Sequence, residues 1–352
     1  MYVVVAIIAF GILIAVHELG HFTAAKLLGV RVNEFAIGMG PKIMKKQGKE
    51  TLYSFRALPL GGFCAFDDGN DAGEDPRSFM AQKRWRRVVI LLAGSVANII
   101  AAFIVVVLLT SGATRFAGTT ITNLVDAFPN KGEDGLMIGD TIVSINGERL
   151  YYIADFELFM QLADSGQVDL VIKRDGAKIK LDKFPLERRE YVIDGETVLR
   201  YGITFNLLEA TSWEKLKHSS YTTMNYARLI RVSIAQIISG PASVGDVSGM
   251  IGIVDAMNDI GQTAPTVRIA LGSIAFFMAF IGVNLAIMNL LPIPALDGGR
   301  ILFVFITWLI ELIFRRRLDP KYEGYIHNTA MVLLMGLMVV ILVNDVVKLV
   351  NG

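Results

Sequence analysis

Long apolar runs set the terms for any fold this chain can adopt. Residues 2–16 are almost purely apolar and run straight into His17-Glu18-Leu19-Gly20-His21. Residues 88–112, 269–291, 301–314 and 328–350 are the others. A bilayer core takes about 20 apolar residues per helix, and only helices or closed barrels satisfy their own backbone there. The expectation is a polytopic α-helical membrane protein with four transmembrane helices, the third interrupted or bent near Pro292 and Pro294. Composition agrees: 53% of the 352 residues are hydrophobic and 19% charged, with a mean hydropathy of +0.50, above the range of soluble domains. The first run has no basic stretch before it and no small-residue cleavage site after it, so it reads as a retained span.

The loops orient the spans. Lys26, Arg31, Lys42, Lys45, Lys46, Lys49, Arg56, Arg77, Lys83, Arg84, Arg86 and Arg87 separate spans 1 and 2, and Arg315, Arg316, Arg317 and Lys321 precede the last. The positive-inside rule makes both loops cytoplasmic. Both termini and the long middle segment then lie outside the cell membrane. The net charge is +1, and no basic stripe alternates with aromatics, so nucleic acid is not an expected partner. Cys64 is the single cysteine, which excludes an internal disulfide and a cysteine-rich zinc site.

Between the spans the pattern changes. Residues 35–41 and 51–56 read as short strands, and residues 58–63, apolar but broken by Pro59, Gly61 and Gly62, cannot be helical. A membrane-associated β-loop at about 35–66 follows, since extended backbone beside lipid must be paired. Residues 67–76 read as a solvated acidic loop. Residues 117–211 read as a small inserted α/β domain, with strands ending at Asn146-Gly147 and Asp175-Gly176 around a helix at 155–163. Residues 213–238 suit an amphipathic surface helix, broken at Gly240-Pro241. The domain plan is therefore 1–112, 117–211, 212–265 and 266–352, the first and last forming one membrane domain.

The chemistry concentrates in two places. Helical residues turn about 100° each, so His17 and His21 share a face and can share one zinc, with Glu18 placed as general base for the water that the metal activates. Burying these groups at membrane depth is costly without a role; a polar helix end among lipid headgroups is the plainer alternative. Zinc wants a third protein ligand. Asp297, between two apolar runs, is the candidate, against a simple ion pair with Arg300. His218 and His327 sit in polar settings and read as surface residues. Asn284 and Asn289 suit either substrate backbone or helix–helix hydrogen bonding, and Asn98, among small residues, leans toward packing.

On these residues the chain resembles the site-2 protease family of intramembrane metalloproteases, in the bacterial branch that releases sigma factors by cutting membrane-bound anti-sigma factors. HExxH at 17–21 and NxxPxPxLDGG at 289–299 carry the resemblance, with weaker matches at 38–40, 59–62 and 93–98. It implies one zinc per chain on His17, His21 and Asp297 and catalysis by Glu18; the β-loop glycines Gly61 and Gly62 with Asn284 and Asn289 are the expected substrate-holding residues. It also implies, from residues 135–147, that the outer domain is a single PDZ domain of Gram-positive type that excludes substrates with large ectodomains. The expected substrates are single-span proteins such as anti-sigma factors, already trimmed by a site-1 protease, or remnant signal peptides. A non-catalytic zinc-containing scaffold that binds partners through the PDZ domain is the alternative reading, and a zinc transporter a third.

Overall fold

The computed structural model describes residues 2–66, 75–163, 166–193, 196–239 and 250–315, with isolated positions up to 336. The expected last span at 328–350, most of the acidic loop, the Gly240-Pro241 break, Arg316, Arg317, Lys321 and His327 fall essentially outside the described residues. The chain divides into two compact units, Met1–Leu109 with Tyr226–Gly352, and Thr110–Asn225.

In the first unit, three helices among the described residues are long and apolar enough to cross a membrane: α1 (Tyr2–Leu27), α2 (Arg84–Thr110, all but its last residue here) and α6 (Val267–Asn289). The third run breaks after Asn289, and the chain resumes as α7 (Asp297–Phe314). A helix the sequence did not reveal, α5 (Met250–Thr263), packs on α1 and α6 around Ala6, Leu13, Met257 and Ile274. The second half of α4 (Ser212–Ser239) packs Ile230 against Ala102, Val106 and Val283.

Two long strands, β1 (Val32–Gln47) and β2 (Leu52–Phe66), replace the short ones expected. Residues 32–37 pair with 62–66 and, through 34–37, also with 52–55, while 42–47 pair with 52–56, so β1 doubles over around 52–56 by bending at Gly38-Met39-Gly40. Gly38 adopts φ +88°, and a Cβ there would stand 2.6 Å from the Leu58 carbonyl oxygen, so only glycine allows the crossing. The fold-back is pinned by Glu34, which accepts from Ser54 Oγ (2.6 Å), Arg56 Nη2 (2.8 Å) and Lys42 Nζ (3.0 Å). Burial opposes ionisation of Glu34, but Ser54, Arg56 and Lys42 outweigh it and hold its carboxyl at about 2. Its folded value lies below its ordinary 4.5, so its contribution is complete above the ordinary value and is lost as pH falls through the folded one. Amide exchange in β1 and β2 should therefore stay slow from neutral pH to about 4.5 and gain an acid-driven opening component only toward about 2; in Glu34→Gln that component should vanish.

The second unit holds a six-stranded sheet, ordered β10 (Ile203–Glu209), β3 (Arg115–Leu124), β4 (Thr141–Ile145), β6 (Gln167–Arg174), β7 (Ala177–Pro185), with β5 (Glu148–Arg149) paired to β4. The helix α3 (Ile153–Gln161) covers it, and Ile121, Leu136, Ile142, Phe156 and Ile172 form its core. A separate hairpin, β8 (Arg189–Ile193) and β9 (Glu196–Arg200), completes the unit. Its polar anchor is Asp140, 1% exposed. Arg174 donates to it twice, Nε and Nη2 each at 2.8 Å, and also reaches the carbonyls of Glu133 and Gly135. His218 departs from its expected surface position: it stacks on Phe116 with ring centroids 4.0 Å apart and meets Tyr152 at 4.5 Å. The polar neighbours do not mark a surface, since Ser219 is itself fully buried and Lys217 Nζ lies over the same Tyr152 ring. Arg174→Leu should leave Asp140 buried and unpaired and cost about 3–5 kcal/mol, read in the full chain as faster amide exchange in β4 and β6.

Candidate metal centre

The site is built wholly within the first unit. Residues 17 and 21 stand one turn apart on the buried face of α1, at 6% and 5% exposure. Asp297 enters from the other end of the sequence as the first residue of α7, where unpaired backbone N–H groups favour a carboxylate. Leu296 caps that helix with backbone alone, and Ala295 before it holds φ +85°, a left-handed conformation that is strained for alanine. The turn is compressed: a Cβ at Gly298 would stand 2.3 Å from the carbonyl oxygens of Leu290 and Leu291, and one at Gly299 2.2 Å from that of Ile293. The paired glycines after Asp297 are thus required by the turn that aims it.

Three ligand atoms converge. His17 Nε2 and His21 Nε2 lie 3.2 Å apart, and Asp297 Oδ2 is 3.2 Å from the first and 3.1 Å from the second. His21 Nδ1 donates to the Ile90 carbonyl at 2.8 Å, which leaves Nε2 as the unprotonated nitrogen. Lone pairs this close repel unless a cation or proton sits among them. Zinc with bonds of 2.0–2.1 Å in tetrahedral geometry spaces its ligands about 3.3–3.4 Å apart, so the triangle and its two-imidazole, one-carboxylate donor set fit that ion. Among the described residues this is the group of three or more His, Cys, Asp or Glu able to hold a metal.

A cavity of about 370 Å³ opens on the triangle, and Glu18, Gly62, Phe63, Cys64, Asn289 and Arg300 are among its lining residues. Glu18 lies between the ligands in sequence and against the backbone amide of Cys64. Gly62 permits this: a Cβ there would be 2.9 Å from the Ala36 carbonyl oxygen and 3.4 Å from Glu18 Cγ. Burial, followed by the nearby Glu18 charge, pushes the Cys64 thiol up to about 12, so it stands protonated and offers no thiolate. The Asn289 amide nitrogen is 3.2 Å from His17 Nε2. Of the other residues singled out in sequence, Gly61 sits in β2 at φ +87° beside Met39, and Asn284 is half-buried on α6 away from the cavity lining.

Residues 5–337 match the profile of peptidase family M50. The chain belongs to peptidase family M50. It is accordingly a metalloendopeptidase, and its membrane-crossing helices make it an integral membrane protein. Similar proteins span its full length: a candidate zinc metalloprotease of Clostridium acetobutylicum is 35% identical over 350 residues, covering 99% of this chain and 98% of the relative. One of Fusobacterium nucleatum is 31% identical over 355 residues and all of both chains. The regulator of sigma-W protease RasP of Bacillus subtilis is 26% identical over 435 residues, covering 99% and 98%.

One contributor escaped the sequence reading, and a second entered it only among the small residues of 93–98. The Ile90 carbonyl that sets the His21 tautomer is backbone and leaves no trace in residue identity. Gly94 does leave one, as a small residue in the second span: a Cβ there would lie 2.4 Å from His21 Nε2 and 2.8 Å from His17 Cε1. Gly94→Ala should force both rings from the triangle, lowering metal content per purified chain by about 10-fold or more, in the range seen when ligand orientation is lost, without loss of membrane insertion.

Proposed function

We propose that this protein is a zinc-dependent endopeptidase that cuts peptide bonds within the membrane, with one zinc on His17, His21 and Asp297 and with Glu18 as general base. The convergence of those three ligand atoms within 3.1–3.2 Å, two of them on helix α1 of membrane-crossing length and the third at the start of α7, carries this reading. The zinc-metalloprotease names of its relatives support it. When bound, zinc acidifies a water and polarises a carbonyl. Glu18, on the same cavity wall, takes a proton from water and returns it to the departing amine. A scaffold role leaves Glu18 in that wall without a purpose.

The substrate in this reading is a single-span protein already shortened by a site-1 protease. A helical peptide bond is shielded by its own hydrogen bonds, so the segment must unwind before attack. Residues 62–66 of β2 pair with 32–37 on one side only among the described residues, and Gly62, Phe63 and Cys64 face the cavity. That open edge suits β-augmentation by an extended substrate, with the turn at Gly61 and the amide of Asn289 as further holding groups and Asn284 farther along α6. The sigma-W regulator among the relatives favours a membrane-bound anti-sigma factor. The second unit is assigned as the extracytoplasmic PDZ-like filter against large ectodomains, in a four-span bacterial membrane protein with both termini outside.

The test uses the full chain in lipid nanodiscs with a tagged single-span substrate. Wild type should cleave and a zinc chelator should stop it. Glu18→Gln should keep one zinc per chain yet lose about 10²–10⁴-fold in cleavage rate. Undiminished cleavage by that variant sinks the mechanism.

A further inference from the structure

The two imidazoles of the triangle are not equally held. His21 Nδ1 is fixed by the Ile90 carbonyl, whereas His17 Nδ1 is buried with no hydrogen-bond partner among the described residues. The same is true of three atoms on α2: Ser95 Oγ, Asn98 Oδ1 and Asn98 Nδ2. Both side chains belong to residues with 0% exposure. A buried carboxamide with all its hydrogen-bonding capacity unspent costs several kcal/mol by transfer measures, so a packing role alone does not account for Asn98.

These orphans share one place. α1 and α2 run past each other with His21 against Ile90 and His17 against Gly94. A Cβ at Gly94 would touch His17 Cε1, the ring carbon between Nδ1 and Nε2. Asn98 follows Gly94 by one helical turn on the same face, and helical side chains lean back toward the N-terminus. Its carboxamide therefore leans toward the turn that His17 touches. From the other side, a Cβ at Gly282 of α6 would stand 3.1 Å from Leu13 Cδ2 and 3.8 Å from the backbone carbonyl oxygen of Asn98, so α1 and α6 both close over this stretch of α2.

We propose that Asn98, with Ser95, is the positioning residue for His17, accepting the Nδ1 proton through one bridging water. The four unpaired atoms supply the two to four polar partners that a buried water needs. A histidine that ligates a metal nearly always donates its second ring N–H to a carbonyl, carboxylate or water. Ile90 does this for His21, and Asn98 does it for His17. The bridge fixes the tautomer that leaves His17 Nε2 free for the metal and keeps the ring from rotating out of the triangle. The inference rests on the zinc reading above.

The experiment measures zinc affinity of the full chain in detergent by competition with a chromogenic chelator, and the visible spectrum of the cobalt-substituted chain. Asn98→Leu should weaken zinc about 10–100-fold and shift the cobalt bands. Asn98→Asp and Asn98→Gln, which keep an acceptor, should recover most of the affinity. Ser95→Ala, the smaller change, should weaken zinc several-fold, and it keeps the question decidable if Asn98→Leu does not fold. Wild-type affinity and an unchanged cobalt spectrum in folded Asn98→Leu or Ser95→Ala overturn the positioning role alone. A wild-type chain that takes up no zinc, or one whose uptake is indifferent to His17→Ala, overturns the zinc reading and this inference together.

Discussion

Two imidazole Nε2 atoms and a carboxylate oxygen lie within about 3.2 Å of one another inside the first unit. Each can turn lone-pair density toward the same point, and both imidazoles are buried. Such an arrangement is repulsive by itself, and polar groups at membrane depth are expensive. A divalent cation turns the repulsion into coordination. The geometry of the first unit reads as what is needed to hold that triangle: α1 supplies two corners, the break between α6 and α7 supplies the third, and α2 fixes one of the rings from behind.

Close approach is the means. Gly20 and Gly94 sit where α1 meets α2, and a Cβ at Gly20 would fall 2.3 Å from the Ala93 carbonyl oxygen. Helices in lipid gain little from hydrophobic burial against each other, so small residues that admit van der Waals contact and backbone hydrogen bonding decide where they pack. Here that packing brings the Ile90 carbonyl to His21. The turn into α7 applies the same economy of volume through Gly298 and Gly299, and it stores strain at Ala295, two residues from the carboxylate. Left-handed alanine persists only where the surroundings over-determine it, and here they fix the entry angle of Asp297.

What sequence could disclose depended on periodicity and chemistry. The spacing of His17, Glu18 and His21 defines a helical face without any coordinates, and Asp297 stood out as a carboxylate between apolar runs. The three described spans were visible as apolar length, and β4, β6 and the helix α4 as pattern followed by turn residues. The misses share a cause. α5 lies after a glycine-rich stretch whose local chemistry suggests a loop, and its Met257 packs among Ala6, Leu13 and Ile274, contacts that local sequence does not announce. β1 and β2 run longer than expected because Lys45 and Lys46 break the apolar pattern while the backbone still pairs. His218 was placed at the surface from its neighbours in sequence, but residues adjacent in a helix point in different directions, and its partners Phe116 and Tyr152 come from elsewhere in the chain. Backbone donors and acceptors, the Ile90 carbonyl foremost, are the same in every residue and so are silent in sequence.

The extended strand beside the triangle follows from the same solvent constraint. In lipid, irregular backbone is tolerated only where protein or a cavity satisfies it. Residues 62–66 meet this on one edge through 32–37 and leave the other toward the cavity. A helix entering this space keeps each carbonyl bonded to its own chain, and a reactive peptide bond is one that has lost that bond. An edge strand, under the proposed reading, returns to an unwound segment the hydrogen bonds it gave up, so unwinding costs less at this place than elsewhere in the bilayer. Under the proposed reading, selection of the scissile bond then depends on which substrate segments yield their helix readily, those with glycine or proline near the centre of the span, and less on any side-chain pocket.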